Sequence, residues 1–297
     1  MKTILTLSAA LLLASCNPTV PPTQTPDLTA LVQKCSASTC SSEEEAQIQA
    51  GLSVDLPSSI SSDDTPELKV TGYSGPATWS LLEGTGSLFG PGLTWTIEDC
   101  TPIMISPGEA CSYTGTDRWL YFPPWRGGSG TITLQAKVGR FTLSKTVAVV
   151  SGILEQDERR ALQHFNYARA IPRFCLRFGG PDQGSAPPLR WDARLKQTAL
   201  KMLESPTQVF ENDFAGFARA NGYNPSNIES TGTIRVSSDT ATIAPDRLFQ
   251  NAFFLFGADA GFCSRFHDAK FVHMGATALV IGSTKSESTF VLASPQQ

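Results

Sequence analysis

Histidine is scarce in this chain, which limits the metal and acid–base chemistry that the sequence can support. The three histidines are His164, His267 and His273. A metal site built from the first two and either Glu229 or Asp268 requires distant segments to converge. The sequence contains no Gly-x-Ser-x-Gly, no His-Glu-x-x-His and no glycine-rich phosphate loop. These patterns predict no catalytic residue, no bound metal and no cofactor.

The first sixteen residues have the pattern of an export signal. A lysine near the start precedes an apolar run from Ile4 to Leu13, which is too short to span a bilayer. The Leu-Ala-Ser-Cys sequence ending at Cys16 resembles the lipobox of bacterial lipoproteins, in which this cysteine is acylated. We therefore expect residues 1–15 to be a signal peptide. Lipidated Cys16 would hold the chain on a membrane of the cell envelope, facing the periplasm or the exterior.

The remaining cysteines form an even set, as expected for disulfides in an exported chain. They are Cys35, Cys40, Cys100, Cys111, Cys175 and Cys263. Many connectivities are possible, and proximity in sequence favours the first two pairs in that order, which leaves Cys175–Cys263. A zinc ribbon is not expected, because the sequence has no Cys-x-x-Cys pair.

Composition describes a folded and rather polar chain. Hydrophobic residues make up 41% of the sequence and charged residues 17%, with a net charge of −4. This balance gives no electrostatic case for a nucleic-acid partner. Four prolines lie between Cys16 and Asp27. Residues 16–45 are therefore predicted to be a lipid anchor and a Pro/Ser-rich tether with at most one short helical turn.

Residues 46–151 show the period of two that is typical of half-buried strands. Ile48, Ala50, Leu52 and Val54 alternate with polar neighbours. Later, residues 130–138 and 141–150 predict two strands that flank a tight turn at Gly139.

This segment resembles bacterial Ig-like surface domains in its Thr-Trp-Ser strand around Trp79 and its Gly-Thr-Ile-Thr-Leu strand from Gly130. The resemblance implies an all-β Ig-like sandwich that serves as a spacer or adhesion module. We expect Trp79 to be a core residue.

In residues 152–297 the apolar residues recur with a helical period, and near the end of the chain they alternate with polar residues. The pattern predicts helices from Glu155, over 191–203 and over 246–256, then strands over 275–281 and 288–293. Helices beside a small antiparallel sheet make an α+β domain. The chain is thus predicted to be multidomain.

Two motifs in this last segment resemble the CAP superfamily, which joins cysteine-rich secretory, antigen 5 and pathogenesis-related proteins and is also called SCP-like. Asn-Tyr-Ala-Arg at 166–169 precedes Pro-Leu-Arg-Trp-Asp-Ala-Arg-Leu at 188–195, and Phe-Val-His-Met-Gly follows at 271–275. The resemblance implies an α-β-α sandwich from Glu155 to the C-terminus. Asn166 and Arg169 share one helix face, so we expect them to hydrogen-bond to neighbouring loops as framework residues.

The resemblance also identifies a candidate cleft. Many CAP domains line it with two histidines and two acidic residues. The corresponding positions here are Met202, Ser226, Phe262 and His273. Thioether and phenyl groups do not bind zinc through nitrogen, so the resemblance implies loss of the metal site. Met202 and Phe262 would turn the old cavity into an apolar pocket if both line it.

The sequence therefore predicts a non-enzymatic cell-envelope lipoprotein. Its CAP-like domain would bind a cell-wall component, a protein partner or a small apolar ligand. One alternative is a divergent metal-dependent or peptidoglycan-directed envelope hydrolase. Another is a structural or adhesive protein that makes contact through its Ig-like domain.

Overall fold

The structure is a computed structural model in which helices and sheets are mixed, an α+β arrangement. It describes residues 27–96, 112–114, 116–204, 214–230, 234–237, 248, 260–281 and 285–296. Cys16, Cys100 and Cys111 lie outside these ranges, as does the predicted helix over 246–256 apart from Leu248. Within the described ranges, every helix is too short or too polar to cross a bilayer.

The N-terminal unit, here the described residues from 27 to 151, begins with two helices and continues as short strands. Its elements are α1 (Thr29–Ala37), α2 (Ser42–Gly51), β1 (Ser53–Val54), β2 (Ser59–Ser61), β3 (Val70–Thr71), β4 (Thr78–Glu83), β5 (Ser87–Phe89), β6 (Thr94–Thr96), β7 (Ser112–Thr114), β8 (Leu120–Phe122), β9 (Gly130–Val138) and β10 (Phe141–Val150).

A four-stranded sheet with the order β2-β10-β9-β4 forms the centre of this unit. The predicted hairpin is confirmed, since Val138 of β9 pairs with Phe141 of β10 across a two-residue turn. Gly139 in that turn has a φ of 58°, which favours glycine. Strand β2 runs parallel to β10, whereas β4 and β9 are antiparallel. Trp79 is buried in the core, as predicted.

The predicted strand starting at Ile48 is wrong, because α2 extends through Gly51. The Ser41 hydroxyl accepts a hydrogen bond from the Glu44 backbone N–H, and the Glu44 carboxylate accepts one from the Ser41 N–H. Acidic residues fill the first turn of α2. This capping box and the favourable charge at the helix N-terminus outweigh the short alternating pattern.

The expectation of at most one helical turn before residue 46 is also wrong. Helix α1 and the first turn of α2 lie before that residue, and the Cys35–Cys40 disulfide links α1 to the loop that leads into α2. Leu28, Val32 and Ile48 are buried in the same hydrophobic cluster as the central sheet. The chain is therefore packed against the sheet from residue 28 onward.

The C-terminal unit, here the described residues from 152 to 296, combines helices with one sheet. Its elements are α3 (Gln156–Ala170), a 3₁₀ helix (Phe174–Phe178), β11 (Arg190–Trp191), α4 (Ala193–Glu204), α5 (Phe214–Ala220), β12 (Pro225–Ser230), β13 (Ile234–Ser237), α6 (Ala260–Phe266), β14 (His273–Ile281) and β15 (Lys285–Pro295). The sheet order is β11-β14-β15-β12, and β13 also pairs with β15. The helices predicted from 155 and over 191–203, and the final two strands, are confirmed.

Aromatic packing joins the two units in one hydrophobic cluster. The ring of Phe122 from β8 stacks on that of Tyr167 from α3, with centroids 3.7 Å apart and planes 4° apart. Phe89 of β5 meets the same tyrosine edge-on at 4.7 Å. Because these rings are buried together with core residues of the C-terminal unit, the units share a core.

Candidate functional site

A groove with a volume of about 590 Å³ lies where the two units meet. One wall comes from the segment between β1 and β3, and the other comes from the approach to β11 and the start of β14. Its apolar and proline lining consists of Leu56, Pro57, Ile60, Pro66, Pro187, Pro188, Leu189, Val272 and Pro295. The volume is within the range of roughly 300–1,000 Å³ that is typical of small-molecule sites, which commonly form at domain interfaces.

Two buried residues of α3 hold the second wall in place. The Asn166 side-chain amide donates to the Leu189 carbonyl at 3.0 Å and accepts from the Leu189 N–H at 2.7 Å. The Arg169 guanidinium donates to the carbonyls of Pro187 at 2.8 Å and Phe271 at 2.9 Å. These bonds confirm the predicted framework role of both residues. The two side chains provide hydrogen-bond partners for backbone N–H and carbonyl groups that lie outside regular strand pairing.

A polar cluster adjoins the groove at His273. His273 lines the groove, and its Nδ1 lies 2.9 Å from the Tyr223 hydroxyl oxygen. The Asp192 carboxylate binds the Arg194 guanidinium at 2.9 and 2.6 Å. That guanidinium stacks over the Tyr223 ring, with 5.0 Å from Cζ to the ring centroid.

Burial sets the protonation states in this polar cluster. It raises the pKa of Tyr223 to about 12, with a further contribution from the Asp192 charge. Burial also lowers the pKa of His273, although the Asp192 carboxylate opposes that shift. At neutral pH a protonated phenol therefore faces a neutral imidazole, and the imidazole tautomer decides which of the two groups donates the hydrogen bond.

Charged and hydroxyl groups line the first wall. Glu67 is paired with Arg118 at 3.0 Å and with Lys69 at 3.2 Å. Asp55 and Asp64 form no ion pair with any other described residue. Thr65 is 5% exposed, and its hydroxyl has no hydrogen-bond partner within the described ranges. A buried hydroxyl without a partner carries a desolvation cost.

The four residues of the predicted cleft lie in four different places. Met202 of α4 is buried in a small cluster with Tyr223 and Val291. Phe262 of α6 is buried in the large cluster shared by the two units. Ser226 is exposed on β12, where its hydroxyl donates to the Pro295 carbonyl at 3.1 Å. His273 is the member that lines the groove.

The potential metal ligands that lie close together differ from the set of two histidines and one carboxylate considered from the sequence. Among the described residues, ligand atoms come within 4.8 Å of one another in two groups, Cys175–Cys263–His267 and Cys35–Cys40–Glu44. His164 belongs to neither group. Two of the three predicted disulfides are confirmed, Cys35–Cys40 and Cys175–Cys263.

The sequence identified neither Tyr223 nor Asp192 as a candidate site residue. Tyr223 follows α5 without any motif around it, so its contact with His273 depends on tertiary structure alone. The spacing of Asp192 and Arg194 was the available signal, because side chains two residues apart at a helix start can pair directly.

Comparison with known proteins gives a distant structural similarity. No family model matches the chain, and no curated protein matches it. Among solved structures, Ancylostoma-secreted protein Ac-ASP-7, a CAP-family protein, aligns with 49% of this chain and 72% of its own. The identity is 15% and the TM-score is 0.32. A TM-score of this size is too low to establish a shared fold.

Proposed function

We propose that this chain is an exported bacterial lipoprotein that binds a small, largely apolar ligand in the groove between its two units, without catalysis. The groove itself carries the proposal, because its lining combines prolines and aliphatic side chains with the half-buried imidazole of His273. A ligand with an apolar body would cover the prolines and aliphatic side chains. A polar group on that ligand would hydrogen-bond to the His273 imidazole.

The proposal includes the architecture expected from the sequence, an Ig-like N-terminal unit and a divergent CAP-like C-terminal unit. The CAP-like assignment of the C-terminal unit is supported by two residues of the CAP-like motifs, which hold a neighbouring segment of the chain in place. Asn166 and Arg169 fix the chain just before β11, where the Pro-Leu-Arg-Trp motif lies. An experimental structure with a strand order other than β11-β14-β15-β12 would contradict this part.

The proposal also includes the lipid anchor at Cys16, which rests on the Leu-Ala-Ser-Cys sequence. Its test is fractionation of cells that express the full chain with labelled palmitate. We expect labelled wild-type chain in the membrane fraction and unlabelled Cys16→Ser chain outside it. Equal membrane association and equal labelling of the two chains would rule out the anchor.

Binding in the groove is tested with anilinonaphthalene sulfonate as a fluorescent probe and dodecanoate as its competitor. Val272 lines the groove and is 37% exposed, so Val272→Trp fills space without entering the core. We expect saturable binding by wild type that dodecanoate reverses and that Val272→Trp weakens at least about tenfold. Val150→Trp is the matched control, because Val150 is exposed on β10 and does not line the groove. Equal binding by both variants would place the ligand elsewhere.

Hydrolysis in the same groove is the second candidate function, and the Tyr223–His273 hydrogen bond is the observation that favours it. A histidine oriented by a second polar group is the usual form of a general acid or base. Release of soluble fragments from purified peptidoglycan is the test. Fragment release by wild type that His273→Gln abolishes would support the enzyme, whereas no release by wild type would favour binding alone.

A further inference from the structure

Three potential metal ligands meet beneath the 3₁₀ helix, away from the groove. Cys175 of this helix forms a disulfide with Cys263 of α6, and their Cα atoms are 5.6 Å apart. His267 follows Cys263 by one helical turn, and its backbone N–H donates to the Cys263 carbonyl at 3.1 Å. A ring nitrogen of His267 and both Sγ atoms lie within 4.8 Å of one another.

The imidazole of His267 is buried and fixed in orientation. The residue is 4% exposed, and its ring lies between Phe174 and Phe266, with centroids at 5.7 and 5.8 Å. Neither ring nitrogen has a hydrogen-bond partner within the described ranges. A ring nitrogen is therefore left to face the sulfur pair.

We propose that Cys175, Cys263 and His267 form a binding site for one Zn²⁺-like divalent cation that opens when the disulfide is reduced. Two thiolates and one imidazole are ligands that zinc prefers, and a water would complete a tetrahedral set. Zn–S bonds of about 2.3 Å in tetrahedral geometry separate the sulfurs by about 3.8 Å. Rotation about the two Cα–Cβ bonds provides that separation without a large movement of the backbone.

The surrounding charge suits this set of ligands. Two thiolates neutralise a divalent cation, so the buried site would carry no net charge. The buried Arg169 guanidinium donates to the carbonyl of Phe266, the residue before His267. A positive charge beside the site favours the thiolate forms of the cysteines, which are the forms that bind metal.

The redox step balances with a phosphine as the reductant. Phosphorus takes the oxygen of one water molecule, the S–S bond accepts two electrons, and the two protons of that water go to the sulfurs. Binding of the cation then releases both thiol protons. A bound cation therefore protects Cys175 and Cys263 from re-oxidation. This site is independent of the proposed groove function.

The test is a cobalt titration of the full chain after anaerobic reduction with the phosphine and desalting. Cobalt–thiolate bonds absorb in the near ultraviolet, which reports sulfur ligation directly. We expect His267→Phe to bind one Co²⁺ fewer per chain than wild type. We also expect the thiols of His267→Phe to re-oxidise equally fast with or without Zn²⁺. In the oxidised wild type, no thiolate band is expected. Glu44→Gln, at the other cysteine pair, is the matched control and should leave the His267-dependent cobalt in place.

If the reduced chain unfolds, circular dichroism tests the proposal instead. Zn²⁺ should then restore the folded spectrum of reduced wild type but not that of reduced His267→Phe. Equal cobalt binding by folded wild type and His267→Phe would overturn the proposal. Failure of Zn²⁺ to refold an unfolded reduced wild type would overturn it as well.

Discussion

Arg159 and Asp63 form a buried ion pair between the two units. Nη2 of Arg159 lies 2.8 Å from Oδ1 of Asp63, and the two side chains are only 5% and 12% exposed. The other carboxylate oxygen of Asp63 accepts from the backbone N–H groups of Ile153 and Leu154 at 2.6 and 3.0 Å. A single carboxylate therefore fixes both the connection between the units and the first turns of α3.

Removal of this carboxylate should destabilise the whole molecule. Asp63→Ala leaves the Arg159 charge buried without its partner and frees two backbone N–H groups, so we expect a loss of about 3–5 kcal/mol in the free energy of unfolding. Asp182→Ala is the control, because Asp182 pairs with Arg173 at an exposed site and should cost less than about 1 kcal/mol. Urea denaturation measures both. Equal losses would mean that the buried pair does not join the units.

The shared aromatic core predicts cooperative unfolding of the two units. Phe122→Ala removes the ring that stacks on Tyr167 and should cost about 3–5 kcal/mol. Hydrogen exchange should then accelerate together in β9 of the N-terminal unit and α3 of the C-terminal unit. Ile153→Ala is the control, since Ile153 is 87% exposed. Faster exchange in only one unit would show that they unfold independently.

Local signals predicted the regular elements well and failed where two signals competed. The hairpin around Gly139 and the strands of the final hairpin followed directly from apolar alternation. The alternation from Ile48 to Val54 was misleading because Ser41 and Glu44 begin a helix that includes its first residues. A capping box fixes the helix start through hydrogen bonds, whereas four alternating apolar residues fit a short strand or one side of a helix.

The groove could not be predicted from the sequence, because each of its walls comes from a different unit. Asn166 and Arg169 were correctly predicted to bond to loops, yet nothing in the sequence identified the partner carbonyls or Thr65 on the facing wall. The separation of Met202 from Phe262 has the same origin. Helices α4 and α6 bury these two side chains in different clusters, a choice made by packing rather than by local pattern.

Gly275 allows α4 to approach the sheet closely. A Cβ added there would overlap the backbone of Leu195 and Lys196, which cannot move aside as a flexible side chain does. We therefore expect Gly275→Ala to cost about 1–3 kcal/mol or more, the range typical of overpacking. Gly130→Ala is the control, because its added Cβ meets no atom within 4 Å. Thermal unfolding of the two variants checks the difference, and similar melting temperatures would argue against close helix–sheet packing.

Two buried histidines should make the oxidised protein less stable in mild acid. Burial, assisted by the Arg160 charge, lowers the pKa of His164 to about 3, and burial with the Arg169 charge lowers that of His267 to about 4. An unfolded histidine has a pKa of about 6.5, so below that pH the unfolded chain binds more protons than the folded chain. The free energy of unfolding should therefore fall by about 1.4 kcal/mol per pH unit for each histidine. The contribution of His267 to this loss ends near pH 4, whereas that of His164 continues towards pH 3.

A neutral replacement isolates this contribution from that of the carboxylates. The stability difference between wild type and His267→Gln should change by about 2 kcal/mol between pH 7.5 and pH 5, with the variant gaining relative to wild type as pH falls. His273→Gln is the control, because His273 is only half-buried and should show a smaller change. Urea denaturation at each pH measures the difference. Parallel stability curves for wild type and His267→Gln would show that this imidazole is protonated equally in the folded and unfolded chains, and would contradict the burial seen here.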